Sequence, residues 1–287
     1  VILSYISLKV YTNFGILPWK PYLDYVLKEQ EWLKEHQEQE LKEIRSKDGL
    51  TLRAAYIPRE NAKGTIICMH GYHSTNDIEF VPEVRFLWNL GYSILLPWQR
   101  SHGKSEGRYI TYGVKERHDL KRWILYTDRH LAAKNKDIFL CGISMGCATT
   151  LMAAGLDLPD NVKGIIADCG FTSPWDIIKH VAKERFHLPP FPLMYMVDLI
   201  SEVVAGFGLK EVSIPEIMKR NKIPVLFIHG DADDYVPMWM TIKNYEACAA
   251  KKELYIVSGA GHALAFSKDM EEGKRRIKNF IDKYKTI

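Results

Sequence analysis

The stretch FLCGISMGCATTL, residues 139–151, changes character at one serine. Up to Ile143 it is an apolar run that reads as a buried strand, and from Met145 small and apolar residues follow at helical spacing. Gly142 and Gly146 stand two residues to either side of Ser144. A serine at such a joint sits on a sharp turn in a sterically poor backbone region, and the flanking glycines remove side chains that would collide across it. A helix that starts immediately afterwards aims free backbone N–H groups at whatever approaches the hydroxyl. This is the G-x-S-x-G setting of a nucleophilic serine, and the strand–turn–helix context it requires is present.

Working outward, buried strands and helices alternate from Gly64 onward. The strands are GTIICMH, YSILLPW, DIFLCGI, KGIIADC, IPVLFIH and KELYIV, continuous apolar runs of the kind found where both faces of a parallel sheet are covered. Helical patterns fall at 77–90, 113–131, 145–156 and 239–250, and from about Ser267 to the end. Upstream, an amphipathic, charged stretch over 22–40 precedes LKEIRSK and LTLRAAYIP, which the Asp48-Gly49 pair joins as a hairpin. The expected fold class is α/β: a mainly parallel, doubly wound sheet with an N-terminal antiparallel hairpin.

One connection is too long. About 50 residues separate IIADC from IPVLFIH, rich in Trp, Phe, Met and Pro. Paired prolines within an apolar helical pattern suggest an inserted helical lid, with a decorated crossover helix as the alternative. The expected division is an N-terminal helical extension over 1–40, a core over 41–170 and 222–287, and a lid over 171–221.

Composition narrows the function classes. Of 287 residues, 47% are hydrophobic and 26% charged, with a net charge of +4, the balance of a globular enzyme. The basic clusters keep helical periodicity and are not interleaved with aromatics, so no nucleic-acid partner is expected. Five cysteines form no CxxC pair, and neither a disulfide framework nor a metal site is expected. The opening VILSYISLKVYTNFGILPW is apolar but interrupted by Lys9, Asn13 and several hydroxyls, a poor membrane span as written. Membrane association through Val1–Trp19 is compatible with it, and location, cytoplasmic or tethered or exported, stays open, as does oligomeric state.

A serine hydroxyl needs a base, and the base an orienting acid, in the chain order Ser, Asp or Glu, His for this kind of elbow. KELYIV runs directly into SGAGHALAF, which places His262 in a Gly-rich loop at a strand end. His36, His118, His130 and His180 fall in helical stretches and read as solvated. For the acid, IPVLFIHGDADDYVP offers Asp231, Asp233 and Asp234, with Asp233 first choice and Asp234 in reserve; Asp168, ending KGIIADC, is a further candidate. The oxyanion donors are expected from Met145 N–H and from Tyr72 N–H in HGYHSTND, where His70 and His73 brace the loop. Phe186, Phe191, Met194, Tyr195 and Met196 are candidates for an acyl pocket, or for the lid's own small core.

Together these residues resemble the serine hydrolases of the α/β-hydrolase superfamily, nearest to bacterial esterases, lipases and peptidases of the prolyl-oligopeptidase and aminopeptidase type. HGY, QRSHGKSEG, GISMG, HGDADDYVP and GAGH follow in the family's order from about Leu41 to the end. The resemblance implies Ser144 as nucleophile, His262 as base, and Asp233, four residues after His229, as acid. Gln99 and Ser101 depart from the Asp-x-Arg-Gly that relatives usually carry, and Cys147 stands where glycine is common. The expected activity is hydrolysis of small-molecule carboxylic esters without a cofactor; a peptidase acting on short peptides is the alternative, and a binding module that has lost catalysis the third.

Overall fold

A computed structural model describes residues 20–37, 40–131 and 136–286. The segment Val1–Trp19 considered above for membrane association lies outside these residues. Among the described residues no helix is long and apolar enough to cross a membrane.

Eight strands form one sheet in the order β1-β2-β4-β3-β5-β6-β7-β8. β1 (Leu41–Arg45) and β2 (Thr51–Ile57) make the antiparallel hairpin that Asp48-Gly49 announced, with Gly49 at φ 88°, the left-handed backbone a glycine accepts without strain. β2 pairs antiparallel with β4 (Ser93–Pro97), which runs parallel to β3 (Gly64–Met69). From β3 the sheet continues parallel through β5 (Asp137–Ile143), β6 (Val162–Asp168), β7 (Val225–Gly230) and β8 (Lys252–Val257). The parallel strands therefore end at one rim, where an open α/β sheet gathers its reactive groups.

The pleat explains the unbroken apolar runs. Ile67, Met69, Leu140, Ala167 and Phe227 enter one core, while Ile66, Cys68, Phe139, Cys141 and Ile166 enter a second core on the opposite face. Helices close both cores. α1 (Lys20–Gln37), α2 (Asn76–Glu79) and α3 (Val81–Asn89) come first; α4 (Glu116–Tyr126) then winds into a π turn over Thr127–Leu131, and α5 (Met145–Ala153) follows Ser144. The single helix expected over 77–90 is in fact two. Phe80 stands between them and Pro82, which lacks an N–H, occupies the first turn of the second. The helix expected to start at about Ser267 is likewise preceded by a short turn of its own.

Four elements fill the long connection between β6 and β7: α6 (Pro174–Phe186), α7 (Leu193–Ile200), a π turn over Ser201–Ala205, and α8 (Ile214–Met218). Ser173 starts α6 by accepting the Asp176 N–H at 3.0 Å. After β7 come α9 (Met238–Ala247), α10 (Ala265–Lys268) and α11 (Met270–Tyr284). All five cysteines are free and buried, in keeping with their apolar surroundings.

The N-terminal helix is packed into the fold. Val26 and Leu33 of α1 belong to the second core, and the Tyr25 hydroxyl donates to the Pro82 carbonyl at 2.7 Å. Leu33→Ala should therefore lower unfolding free energy by about 2–4 kcal/mol, as for other buried leucines, in a urea titration. A loss below about 0.5 kcal/mol would show that α1 folds independently of the core.

Candidate active site

The elbow adopts the expected backbone. Ser144 has φ 54° and ψ −116°, a conformation held because its N–H donates to the Asp168 carbonyl at 2.9 Å and its carbonyl accepts from Ala148 N at 3.0 Å. The glycines are required by close approach rather than by flexibility. A Cβ on Gly146 would lie 1.8 Å from the Met69 carbonyl oxygen, and one on Gly142 2.4 Å from that of Gly146. The first turn of α5 thus rides directly on the end of β3.

Three side chains from three strand ends form one hydrogen-bonded chain. The Ser144 hydroxyl lies 2.9 Å from His262 Nε2, and His262 Nδ1 lies 2.7 Å from Asp233 Oδ2. Burial alone would raise the Asp233 carboxyl, but hydrogen bonds from His229 and His262, with the pull of their charge, hold it well below the usual carboxylate range. An ionised carboxylate only accepts, so Nδ1–H donates to it and Nε2 is left to accept from the serine. The other carboxylate oxygen accepts from Tyr235 N and Val236 N, both at 2.9 Å. These bonds aim Asp233 at the imidazole.

The other acids point elsewhere. The Asp234 side chain is 83% exposed and pairs with Arg185 at 3.4 Å. Asp231 accepts from Gly259 N at 2.6 Å and closes its own loop. Asp168 offers its backbone to Ser144, while burial pushes its carboxyl up to about 6 in a small cavity shared with Glu83.

The loop after β3 is braced at every turn. His70 Nδ1–H donates to the Gly71 carbonyl at 2.8 Å, and Nε2 accepts from Gln99 N at 3.0 Å. Burial lowers the His70 pKa to about 3, which keeps that imidazole neutral. His73 N donates to His102 Nε2 at 3.1 Å, and Gly71 N donates to the Glu79 carboxyl. Gln99, one departure from the family pattern, spends its side-chain amide on the His70 carbonyl. Among the described residues neither the Tyr72 nor the Met145 N–H donates to a protein acceptor. Two unspent donors therefore flank the serine.

A pocket of about 310 Å³ opens onto Ser144 and His262, walled by Tyr72, Ile78, Glu79, Tyr235 and Leu264. Phe186, Phe191, Met194 and Tyr195, expected for an acyl pocket or for the lid's own small core, are not among its walls. Met194 is wholly buried in the core, whereas Phe186, Phe191 and Tyr195 are 66%, 75% and 55% exposed. Their apolar character was legible in sequence, but not the direction in which each helix turns it. Met196, also exposed at 55%, likewise stays out of the pocket.

The prolyl oligopeptidase family profile matches residues 105–286. The chain belongs to that family. This prolyl oligopeptidase family member is 29% identical over 244 residues to the YqkD protein of Bacillus subtilis, covering 83% of this chain and 78% of that one. It is 25% identical over 217 residues to the bem46 protein of Schizosaccharomyces pombe, covering 74% and 67% of the two chains. Among solved structures it is similar to the Pyrococcus furiosus esterase Pf2001, with a TM-score of 0.70 and 26% identity over 88% of this chain and 96% of that one. The sheet order and flanking helices are those of an α/β hydrolase.

Glu79 is the site residue that sequence reading missed in this family member. It lies in a polar stretch that gives no sign of burial, yet burial in the pocket wall pushes its carboxyl up to about 8. Cys169 adds a thiol within 4.8 Å of ligand atoms of Asp233 and His262, the one group of three potential metal ligands among the described residues; its aspartate and histidine are engaged with each other and with Ser144.

Gly146→Ala should cost about 3 kcal/mol, because the new methyl meets backbone that cannot rotate away. Gly273→Ala in α11, whose Cβ would meet Phe266 at ordinary contact distances, 3.4 Å to its ring and 3.9 Å to its Cα, should gain up to about 1 kcal/mol. Chemical denaturation of both variants checks the contrast; equal effects would contradict the packing argument.

Proposed function

We propose that the protein is a serine hydrolase that cleaves carboxylic esters through an acyl-enzyme. The observation that carries this reading is the Ser144–His262–Asp233 chain, with spacings of 2.9 and 2.7 Å at the mouth of a pocket. Likeness to an esterase at 26% identity supports the ester over the amide. In this reading Ser144 Oγ attacks the carbonyl carbon while its proton passes to His262 Nε2. Tyr72 and Met145 N–H receive the oxygen as it becomes negative, each donor contributing about 3 kcal/mol. The intermediate collapses, Nε2–H returns the proton to the departing alkoxide, and an alcohol leaves. Water then repeats the sequence on the acyl-enzyme and releases the acid.

The alternative is a peptidase, favoured by the family's name; the triad would serve amides equally, and the Glu79 carboxyl in the pocket wall is the group that could meet a peptide's amino terminus. The insertion over 171–221 is read as a lid bordering the pocket, carried on a core of 41–170 and 222–287.

Ser144→Ala should abolish both fluorophosphonate labelling and hydrolysis of p-nitrophenyl esters. Turnover of aminoacyl p-nitroanilides in preference to esters would replace the esterase by the peptidase, and absence of labelling in the native protein would remove both. Asp233→Asn should lower kcat by about 10⁴ while the fold persists, because the imidazole loses its tautomer. If Asp234→Asn or Asp168→Asn is the damaging change instead, the acid assignment fails.

Glu79 sets an alkaline limit. Below pH of about 8 its carboxyl is neutral; above it, a negative charge faces the developing oxyanion. kcat/KM should therefore fall about tenfold as pH rises through that value, and Glu79→Gln should remove the fall. A native profile flat to pH 10 would rule this out.

A further inference from the structure

Among the described residues, the helices inserted between β6 and β7 carry the densest run of exposed large apolar side chains. Nine large apolar side chains between Phe186 and Val204 are each 44–76% exposed, among them Phe186, Phe191, Leu199, Ile200 and Val203. So many large apolar side chains exposed along one insertion mark an interaction face rather than hydrophobes scattered singly over a surface. We propose that this face docks on a lipid surface and holds the adjoining pocket against it.

Three observations choose this occupant. First, α7 is apolar on both sides: Met194 is buried in the core while Tyr195, Met196, Leu199 and Ile200 face outward. A helix apolar all round has to be covered on its outer side as well. Second, the face has almost no charge to offer a polar ligand. From Phe186 to Val204 the acidic or basic residues besides His187 are Asp198, whose carboxylate is spent on Leu209 N at 2.7 Å, and the exposed Glu202. Its flanking charges are paired already, Lys183 with Glu184 at 3.0 Å and Arg185 with Asp234 at 3.4 Å. Third, the rim has the chemistry of a membrane–water boundary. The Lys210 ammonium lies 3.8 Å from the Trp175 ring and 4.3 Å from the Tyr195 ring, an amphipathic cluster with apolar bodies and a wet tip.

The face also adjoins the site. Arg185 lies over the Tyr235 ring at 5.0 Å, and that ring, a wall of the pocket, is 5.1 Å from the His262 ring. A second copy seated here would crowd the pocket mouth, whereas a lipid surface would feed it. The docking itself is independent of the hydrolase reading. The substrate consequence, an amphiphilic ester drawn from the interface, rests on that reading.

The test is co-sedimentation of the full chain with phosphatidylcholine vesicles, alone and with phosphatidylglycerol. Apolar area rather than charge drives the contact, so both compositions should pull down the protein, with weak dependence on salt. The double variant Leu199→Asp/Val203→Asp alters exposed side chains outside the pocket and should keep the native melting temperature. Its partitioning into both vesicle types should fall at least tenfold, while p-nitrophenyl acetate turnover stays within twofold. Ser144→Ala should bind vesicles like the native chain, so loss of turnover and loss of docking are read separately. Native protein that stays in the supernatant, or a double variant that binds undiminished, overturns the proposal. So does a dimer in light scattering that the double variant dissociates, if the native chain ignores vesicles; the face would then belong to a second copy.

Discussion

The close contact between the first turn of α5 and the end of β3 is the constraint from which the site follows. With no Cβ at Gly146, the helix start comes down onto the Met69 carbonyl, and Ser144 is pressed into a positive φ between two neighbouring strands. The backbone strain at one residue is offset by bonds at both of its ends, to Asp168 and Ala148, so the turn cannot relax without loosening the sheet. This turn lifts the hydroxyl from the rim and leaves the Met145 N–H unspent beside it. The same contact brings the β3 loop, with Tyr72, up to the serine.

Around that turn the protein sets charge where it is useful and suppresses it where it is not. Asp233 is buried but takes two backbone N–H donors and the imidazole, and stays ionised. Glu79, Glu83 and Asp168 are buried among one another with few donors, and burial favours their neutral forms. Asp233, the carboxylate that meets the imidazole, is thereby the most readily ionised of the four. His70 follows the same logic with the opposite sign: kept neutral by burial, it acts as a rigid spacer between the loop after β3 and Gln99.

Substitutions in the family pattern are absorbed within this frame. Gln99 stands where relatives usually carry an acid and donates its amide N–H to the His70 carbonyl, a bond a carboxylate could not make, and the buried Arg100 behind it pairs with buried Asp119 and with the partly exposed Asp48. Cys147 packs against Gly170 in the core, where a Cβ on that glycine would lie 2.4 Å from the sulfur. The widened side chain is accommodated beneath the elbow, away from the pocket.

The residues alone determined the strand–helix alternation, the hairpin, the elbow at Ser144, and His262 and Asp233 as first choices for its partners. Local rules suffice for these, since apolar runs, Asp-Gly turns and glycines beside a serine act over a few residues. Tertiary structure decided which of four candidate aspartates faces the imidazole, because 2.7 Å of approach depends on how three strand ends are stacked. It also moved the aromatic and methionine side chains of the insertion off the pocket and put Glu79 in its wall. The direction a helix presents its apolar face depends on what it packs against, and its own sequence does not contain that partner.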